Sequence, residues 1–178
     1  MNLILIDDET KTRRGLMEHV DWFALGFTSV KAAAGAREAL ALCEHWIPAV
    51  VISDVRMPEM DGPELCRRLR AIAPDCQLLF ISGYEDVESL RAAIDLSAVS
   101  FLHKPFELTE LESKTRLALQ RYSENRRSRD VRETLFRNRQ AIAQDTLARL
   151  IHGRREESVS ENLRMLGLDE RKTFQVVL

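Results

Sequence analysis

Short apolar runs alternate with stretches of helical spacing over the first 106 residues of the chain. The run Leu3–Ile6 is apolar at every position, whereas the stretches between such runs repeat apolar residues three or four apart. This pattern predicts strands at 3–6, 29–34, 49–53, 77–82 and 99–102, and helices at 10–22, 36–45, 63–72 and 87–96. Strands that are apolar on both faces and alternate with helices form a parallel sheet covered on both sides. The predicted fold class is therefore α/β, with a doubly wound, five-stranded parallel sheet.

Local signals set the ends of some predicted helices. Thr10 is predicted to cap the first helix, since a hydroxyl can accept a hydrogen bond from its first turn. Gly26 is predicted to stop that helix near Trp22. Pro63 stands where the third helix begins, a position that tolerates proline. These signals place the polar segments between the elements in short loops.

Charged and polar side chains stand at the ends of four predicted strands. Asp7 and Asp8 follow the first strand, Asp54 the third and Lys104 the fifth, and the fourth ends at Ser82. The carboxyl ends of parallel strands meet at one edge of a sheet, so these side chains should converge. Any one of the acids could instead be a helix cap, because acidic residues often follow strands for that reason. The prediction of a site rests on the set.

Three converging carboxylates repel one another unless a cation joins them. Oxygen ligands suit Mg²⁺ or Mn²⁺. A carboxylate beside such a metal and a lysine is equipped to receive a phosphoryl group, since both cations offset charge on the transferring oxygens. The residues themselves therefore predict a magnesium site with phosphoryl chemistry.

Composition and charge predict no functional site other than the acidic one. The net charge of −2 and the pI of about 6.1 give no general attraction to nucleic acid or membranes. The three cysteines, Cys43, Cys66 and Cys76, lack a CxxC pair and are predicted to be buried, reduced thiols of a cytoplasmic protein. The four histidines, including His103, form no metal-binding spacing. No signal peptide or membrane span is predicted.

Four motifs carry a resemblance to a known family. They are Leu-Ile-Leu-Ile-Asp-Asp-Glu at 3–9, Ser-Asp-Val-Arg-Met-Pro-Glu-Met-Asp-Gly at 53–62, Ile-Ser-Gly-Tyr at 81–84 and Phe-Leu-His-Lys-Pro-Phe at 101–106. Together they resemble the receiver domain of two-component response regulators over residues 1–122. The resemblance implies a flavodoxin-like fold with strand order 2-1-3-4-5 and a sensor histidine kinase as the phosphoryl donor.

The resemblance also implies a role for each acidic residue. Asp54 would be the phosphoacceptor. Asp8 and Asp54 would bind Mg²⁺ directly, together with the backbone carbonyl of Arg56, and Asp7 would reach the metal through water. Asp54-Val55-Arg56 is not Asp-x-Asp, so the second carboxylate that related phosphohydrolases use as general acid and base is replaced. The chain is therefore predicted to be a signalling domain rather than a Mg²⁺-dependent phosphohydrolase enzyme, with self-phosphorylation and self-dephosphorylation as its only reactions.

The remaining implied residues would transmit the signal. Lys104 would contact a phosphoryl oxygen, and the Lys104–Pro105 peptide bond would be cis. Ser82 and Phe101 would form a switch pair, in which the hydroxyl moves to the phosphate and the ring follows into the space left.

The last third of the chain differs from the rest in net charge, and most of it lacks Gly and Pro. Residues 1–106 carry a net charge of −5, residues 107–178 a net charge of +3, and residues 106–152 lack both Gly and Pro. A long helix is predicted there, with Val131, Leu135, Asn138 and Ile142 at the spacing of a short coiled-coil seam. We expect this helical linker, 123–153, to form a homodimer; two helices packed back on a domain are the alternative.

Residues 154–178 are predicted to begin a further, truncated domain. A helix is predicted at 158–167 and an apolar strand at 173–178. With the long helix, these features resemble response regulators of the AraC-type transcription-factor branch. The resemblance implies control of transcription, with DNA bound only through a domain absent from this chain. A stand-alone receiver that acts through protein partners is the alternative.

Overall fold

The computed structural model describes residues 1–83, 87–151 and 157–166. It has one sheet of five parallel strands in the order β2-β1-β3-β4-β5, which confirms the predicted fold class. The strands are β1 (Asn2–Ile6), β2 (Ser29–Ala33), β3 (Val50–Asp54), β4 (Gln77–Ser82) and β5 (Ser100–His103).

The helices follow the strands in regular alternation. They are α1 (Thr10–His19), α2 (Ala36–Cys43), α3 (Gly62–Ile72), α4 (Val87–Asp95), α5 (Leu108–Ile151) and α6 (Glu157–Met165). The long helix predicted after the sheet is α5. Asp61 caps α3, since its Oδ1 accepts a 2.7 Å hydrogen bond from the Glu64 N–H, and Pro63 lies in the first turn, as predicted.

Successive residues of each central strand face opposite sides of the sheet. Ile4 and Ile6 of β1 belong to one buried cluster, which also holds buried residues of α2, α3 and α4. Leu3 and Leu5 belong to the other, which holds buried residues of α1 and α5. Both faces of the sheet are therefore covered, which explains why β1 is apolar at every position from Leu3 to Ile6.

Helix α1 is shorter than the sequence predicts. Thr10 is the first helical residue rather than the cap, because Glu9 occupies the N-cap position. The helix ends at His19, not near Trp22. Beyond the helix, the indole Nε1 of Trp22 donates a 2.9 Å hydrogen bond back to the Leu16 carbonyl of its last turn. Gly26 lies beyond the helix, in the following loop, with φ of +103°.

One arginine ties the end of α4 to the neighbouring elements. The guanidinium of Arg70, in α3, donates to the carbonyls of Pro74 and Cys76 before β4, and to that of Leu96 after α4. The packing of α4 on the sheet includes buried Ala93, whereas Ile94 is exposed. The Arg70 side chain thus links the residue that follows α4 to α3 and to the segment before β4.

The chain divides into two compact units, Met1–Arg126 and Arg127–Leu178. In the second unit Thr146, Val159 and Leu163 are buried. The Arg139 guanidinium donates a 2.9 Å hydrogen bond to the Leu166 carbonyl, which joins α5 to the end of α6. The helix predicted at 158–167 is α6, and the strand predicted at 173–178 lies outside the described residues.

None of the helices in the described ranges is both long enough and apolar enough to cross a membrane.

Candidate functional site

The three predicted carboxylates meet at one edge of the sheet. Asp7 directly follows β1 and Asp54 is the last residue of β3, and these strands are neighbours with Ile6 paired to Ser53. One carboxylate oxygen from each of Asp7, Asp8 and Asp54 lies within 4.8 Å of the others. Asp7 and Asp54 are buried and Asp8 is exposed, so the acidic cluster opens to solvent on the Asp8 side.

Lys104 reaches this acidic cluster from β5, two strands away from β3 in the sheet. Its Nζ donates to Oδ2 of Asp54 at 2.6 Å and to Oδ2 of Asp7 at 2.9 Å. Lys104 follows β5, the edge strand, and the Lys104–Pro105 peptide bond is cis, as the resemblance implies. The ammonium therefore joins two of the three carboxylates directly.

Burial and this ion pairing shift two pKa values. Burial raises the pKa of Asp7 above its usual range, and the contacts with Lys104 and the Glu9 N–H offset only part of that effect. Burial lowers the pKa of Lys104, but its hydrogen bonds with Asp54 and Asp7 outweigh that effect and leave the value raised. Lys104 is thus held in its charged form.

The backbone around Asp54 is closely packed. The Arg56 N–H donates a 3.0 Å hydrogen bond to Oδ1 of Asp54, which places the Arg56 peptide beside the carboxylate. The Gly62 N–H donates to the Val55 carbonyl at 2.9 Å. A Cβ atom at Gly62 would lie 2.2 Å from the Asp54 carbonyl oxygen, so no side chain fits there. The Asp61-Gly62 turn therefore closes directly over the Asp54 backbone.

Arg13 is a site residue that the sequence analysis missed. Its guanidinium Nη1 donates to the carbonyl oxygens of Asp7 at 2.6 Å and Asp8 at 3.1 Å. Oδ1 of Asp7 accepts a 2.8 Å hydrogen bond from the Glu9 N–H, a second contact within the loop between β1 and α1. Arg13 lies in α1, six residues after Asp7, and not at the end of a strand. The sequence pattern therefore offers no reason to place it at the site.

The proposed switch residues lie on the two strands beyond β3. Ser82 ends β4 one residue after Ile81, which pairs with Asp54, and its side chain is fully buried. Phe101 of β5 pairs with Phe80 and is partly buried against the core that includes α3 and α4. Ser82 thus lies on the strand before α4 and Phe101 on the strand after it; their switching role remains a prediction.

The donor atoms of the acidic cluster fit Mg²⁺. Three carboxylate oxygens within 4.8 Å of one another form a hard, oxygen-only ligand set. Asp8 and Asp54 would hold the ion with the Arg56 carbonyl, and Asp7 would contact it through water. Lys104 alone offsets one of three negative charges, so a divalent cation would complete the neutralisation.

This arrangement of strands, carboxylates and lysine is that of a signal receiver. The sequence profile of the response regulator receiver domain matches residues 3–116, and the chain belongs to that family.

Proteins similar to this chain support the same class. It is 36% identical to an uncharacterized response regulatory protein of Staphylococcus epidermidis over 122 residues, 68% of this chain and 48% of that protein. It is 32% identical to the transcriptional regulatory protein HptR of Staphylococcus aureus over 130 residues, 71% of this chain and 51% of HptR. The chain thus spans about half the length of the curated relatives it matches.

Solved structures agree on the fold. A two component transcriptional regulator AraC from Clostridium phytofermentans is 34% identical with a TM-score of 0.67, covering 71% of this chain and 98% of that one. A CheY-like response regulator receiver domain protein from Methanospirillum hungatei is 22% identical with a TM-score of 0.64, covering 70% of this chain and 97% of that one. The second shows the fold alone.

Proposed function

We propose that Asp54 accepts a phosphoryl group from a sensor histidine kinase and that this modification controls transcription. The observation that carries the proposal is the pair of hydrogen bonds from Lys104 to Asp54 and Asp7 within the acidic cluster. An ammonium and a metal-ligand set around one carboxylate are the groups that phosphoryl transfer requires.

In the proposed transfer a carboxylate oxygen of Asp54 attacks phosphorus. An oxygen–phosphorus bond forms, and the bond between phosphorus and the kinase histidine nitrogen breaks, so the imidazole leaves and takes up a proton. Mg²⁺ bound by Asp8, Asp54 and the Arg56 carbonyl would offset charge on the phosphoryl oxygens. Lys104 would stay charged and pair with one of these oxygens. Arg56 offers no carboxylate for rapid hydrolysis, which favours a persistent acyl phosphate.

The phosphorylated side chain carries about −1.5 to −2 charge at the end of β3, in place of the single negative charge of the Asp54 carboxylate. We propose that the Ser82 hydroxyl turns toward this charge and that the Phe101 ring moves into the space that it leaves. Ser82 directly precedes the loop to α4, and Phe101 lies on the adjoining strand, β5. The surface that includes α4 would change as a result.

We propose a domain order in which residues 1–122 form the receiver, 123–153 a helical linker and 154–178 the start of a further domain. Val131 and Leu135, on α5, are exposed and apolar, which supports a homodimer through the linker. DNA would be bound only through a domain outside this chain, in the cytoplasm. The similarity to the AraC regulator and HptR, and the half coverage of HptR, support this assignment.

Mass spectrometry after incubation with acetyl phosphate tests the acceptor. We expect wild type to gain one phosphoryl group when Mg²⁺ is present and none when it is chelated, and hydroxylamine should remove the group as it does acyl phosphates. Asp54→Asn should gain nothing. Asp21→Asn is the matched control, because Asp21 is exposed and outside the acidic cluster. A phosphoryl group that persists on Asp54→Asn would contradict the assignment.

A further inference from the structure

His103 binds the same carbonyl oxygen as the residue that follows it. Ser82 and His103 are paired across β4 and β5. The Lys104 N–H lies 2.7 Å from the Ser82 carbonyl oxygen, as expected for the sheet ladder, and Nδ1 of His103 lies 2.9 Å from the same atom. A carbonyl oxygen only accepts, so Nδ1 must carry a proton in this contact. The half-buried ring therefore adds a second bond to the last carbonyl of β4.

This carbonyl sets the direction of the next N–H group. The peptide bond is planar and trans, so the Ser82 carbonyl and the Gly83 N–H point to opposite sides of the chain. The carbonyl faces β5, because it accepts from Lys104. The Gly83 N–H therefore faces β3, the strand that ends at Asp54, which pairs with Ile81. Holding the carbonyl at β5 aims one backbone donor at the Asp54 side of the sheet edge.

In the proposed phosphoryl acceptance, the side chain of Ser82 has to move while its backbone stays in place. Its side chain would turn toward the phosphoryl group, while its backbone has to remain in place as the origin of the loop to α4. The ladder bond from Lys104 alone would hold the carbonyl at the very end of a strand, where β-pairing ceases. A second donor at that atom resists rotation of the Ser82–Gly83 peptide while the hydroxyl moves.

We infer that His103 is a positioning residue for phosphoryl acceptance: its Nδ1–H holds the Ser82 carbonyl, so that the Ser82–Gly83 peptide keeps its orientation toward Asp54. The inference rests on the proposed function of Asp54. The contact that carries this role joins His103 to the Ser82 carbonyl, so His103 would act through the Ser82 backbone and not by binding the phosphoryl group itself.

Two substitutions separate the donor from the ring. His103→Leu fills much of the same volume without a donor. His103→Asn keeps a nitrogen donor one bond from Cγ, where Nδ1 lies in histidine. We expect His103→Leu to reduce the phosphorylation rate with acetyl phosphate, and the affinity for beryllofluoride, by about five- to tenfold. His103→Asn should stay within about twofold of wild type. Mg²⁺ affinity, measured by calorimetry, should be unchanged in both, since neither substitution alters Asp8, Asp54 or the Arg56 carbonyl, which would hold the ion.

The inference is overturned if His103→Leu equals wild type, if the Leu and Asn variants lose equally, or if Mg²⁺ affinity falls in step with phosphorylation. Nitrogen-15 NMR of the wild-type ring adds a test that needs no variant: Nδ1 should be protonated, and an unprotonated Nδ1 would refute the contact. Wild type that takes up no phosphoryl group would instead refute the proposed function itself.

Discussion

The Nζ atom of Lys104 lies 2.6 Å from Oδ2 of Asp54, with 22% of the lysine side chain and 10% of the aspartate side chain exposed. A pair this enclosed is screened by salt less than a surface pair. The same ammonium also binds Asp7, so one lysine stands between two carboxylates that would otherwise repel. The charge balance of the site therefore depends on Lys104 until a metal ion binds.

Replacing this lysine should make stability depend on Mg²⁺. When Mg²⁺ is removed by a chelator, Lys104→Gln should lower the free energy of unfolding by about 1.5–3 kcal/mol, because the variant loses hydrogen bonds between charged groups. Saturating Mg²⁺ should restore most of that loss, and the variant should bind Mg²⁺ more tightly than wild type because no ammonium competes. Urea unfolding with and without Mg²⁺ measures both effects. Lys11→Gln, an exposed control on α1, should change neither. Equal losses with and without Mg²⁺ would contradict this balance of charges.

The switch hypothesis predicts a local loss of signal. Ser82→Ala should still be phosphorylated at Asp54, because the acceptor and Lys104 are intact. Amide exchange across 87–102 should then respond to beryllofluoride less than in wild type, since the hydroxyl that turns toward the phosphate is missing. Hydrogen exchange with mass spectrometry measures the difference. An undiminished response in the variant would show that the Ser82 hydroxyl transmits nothing.

Gly62 should be the least replaceable glycine of the receiver unit. Gly62→Ala puts a Cβ 2.2 Å from the Asp54 carbonyl oxygen, so the turn has to shift, and we expect a loss of about 3 kcal/mol or more. Gly15→Ala is the matched control in helix α1, where a Cβ meets nothing within 4 Å; it should raise stability by about 0.5–1 kcal/mol. Thermal unfolding compares the two. A Gly62→Ala variant as stable as wild type would show that the turn relaxes freely.

Buried thiols make alkaline pH destabilising. Burial raises the pKa of Cys43 and Cys66, and raises that of Cys76 to about 11 from an ordinary value of 9.0. Above pH 9 the unfolded chain releases thiol protons that the folded chain retains, so the free energy of unfolding falls as pH rises. The slope reaches up to about 1.4 kcal/mol per pH unit for each thiol.

Cys76→Ala should therefore weaken the decline in stability between pH 9 and 11 relative to wild type, as measured by urea unfolding at each pH. Iodoacetamide should label the native thiols far more slowly than those of the unfolded chain, since the reactive species is the thiolate. Identical pH slopes in the two proteins would argue against a raised pKa at Cys76.

The linker seam predicts a weak dimer. Val131 and Leu135 are exposed, but Ile142 is half-buried within the second unit, so few apolar side chains remain for a partner. Leu135→Asp should abolish self-association in sedimentation over a concentration series. Leu147→Asp is the control, because Leu147 is also exposed but lies off the seam. A wild-type chain that stays monomeric at high micromolar concentration, with and without beryllofluoride, would refute the seam.

The parts of the site that the sequence predicted are those tied to strand ends. Asp7, Asp54 and Lys104 follow or finish apolar strands, and a parallel sheet brings such ends to one edge whatever the loops do. Periodicity alone could therefore place these side chains near one another. The Lys104 hydrogen bonds to both aspartates needed the structure, because they depend on side-chain length and direction.

Side-chain contacts with backbone carbonyls escaped sequence reasoning. Arg13, Arg70 and His103 each bind main-chain carbonyl oxygens. Every residue has such an oxygen, so the sequence pattern does not show which one a side chain will bind. The hydrogen bond from the Trp22 indole to the Leu16 carbonyl, just after the end of α1, is a contact of the same kind. Helix periodicity predicted where α1 begins to within a residue, but it placed the end of the helix near Trp22, about three residues too late.

The wide spacing of the site along the chain has a consequence for protein synthesis. Asp7 and Lys104 lie 97 residues apart, and Asp54 and Lys104 lie 50 apart. A ribosome that has produced both aspartates has still to make the edge strand β5 and the lysine after it. If Asp54 is the acceptor as proposed, a nascent chain would carry the acceptor carboxylate without its ammonium, and phosphoryl acceptance would have to wait until the last strand joins the sheet. On this proposal, only a receiver whose sheet is complete could be phosphorylated.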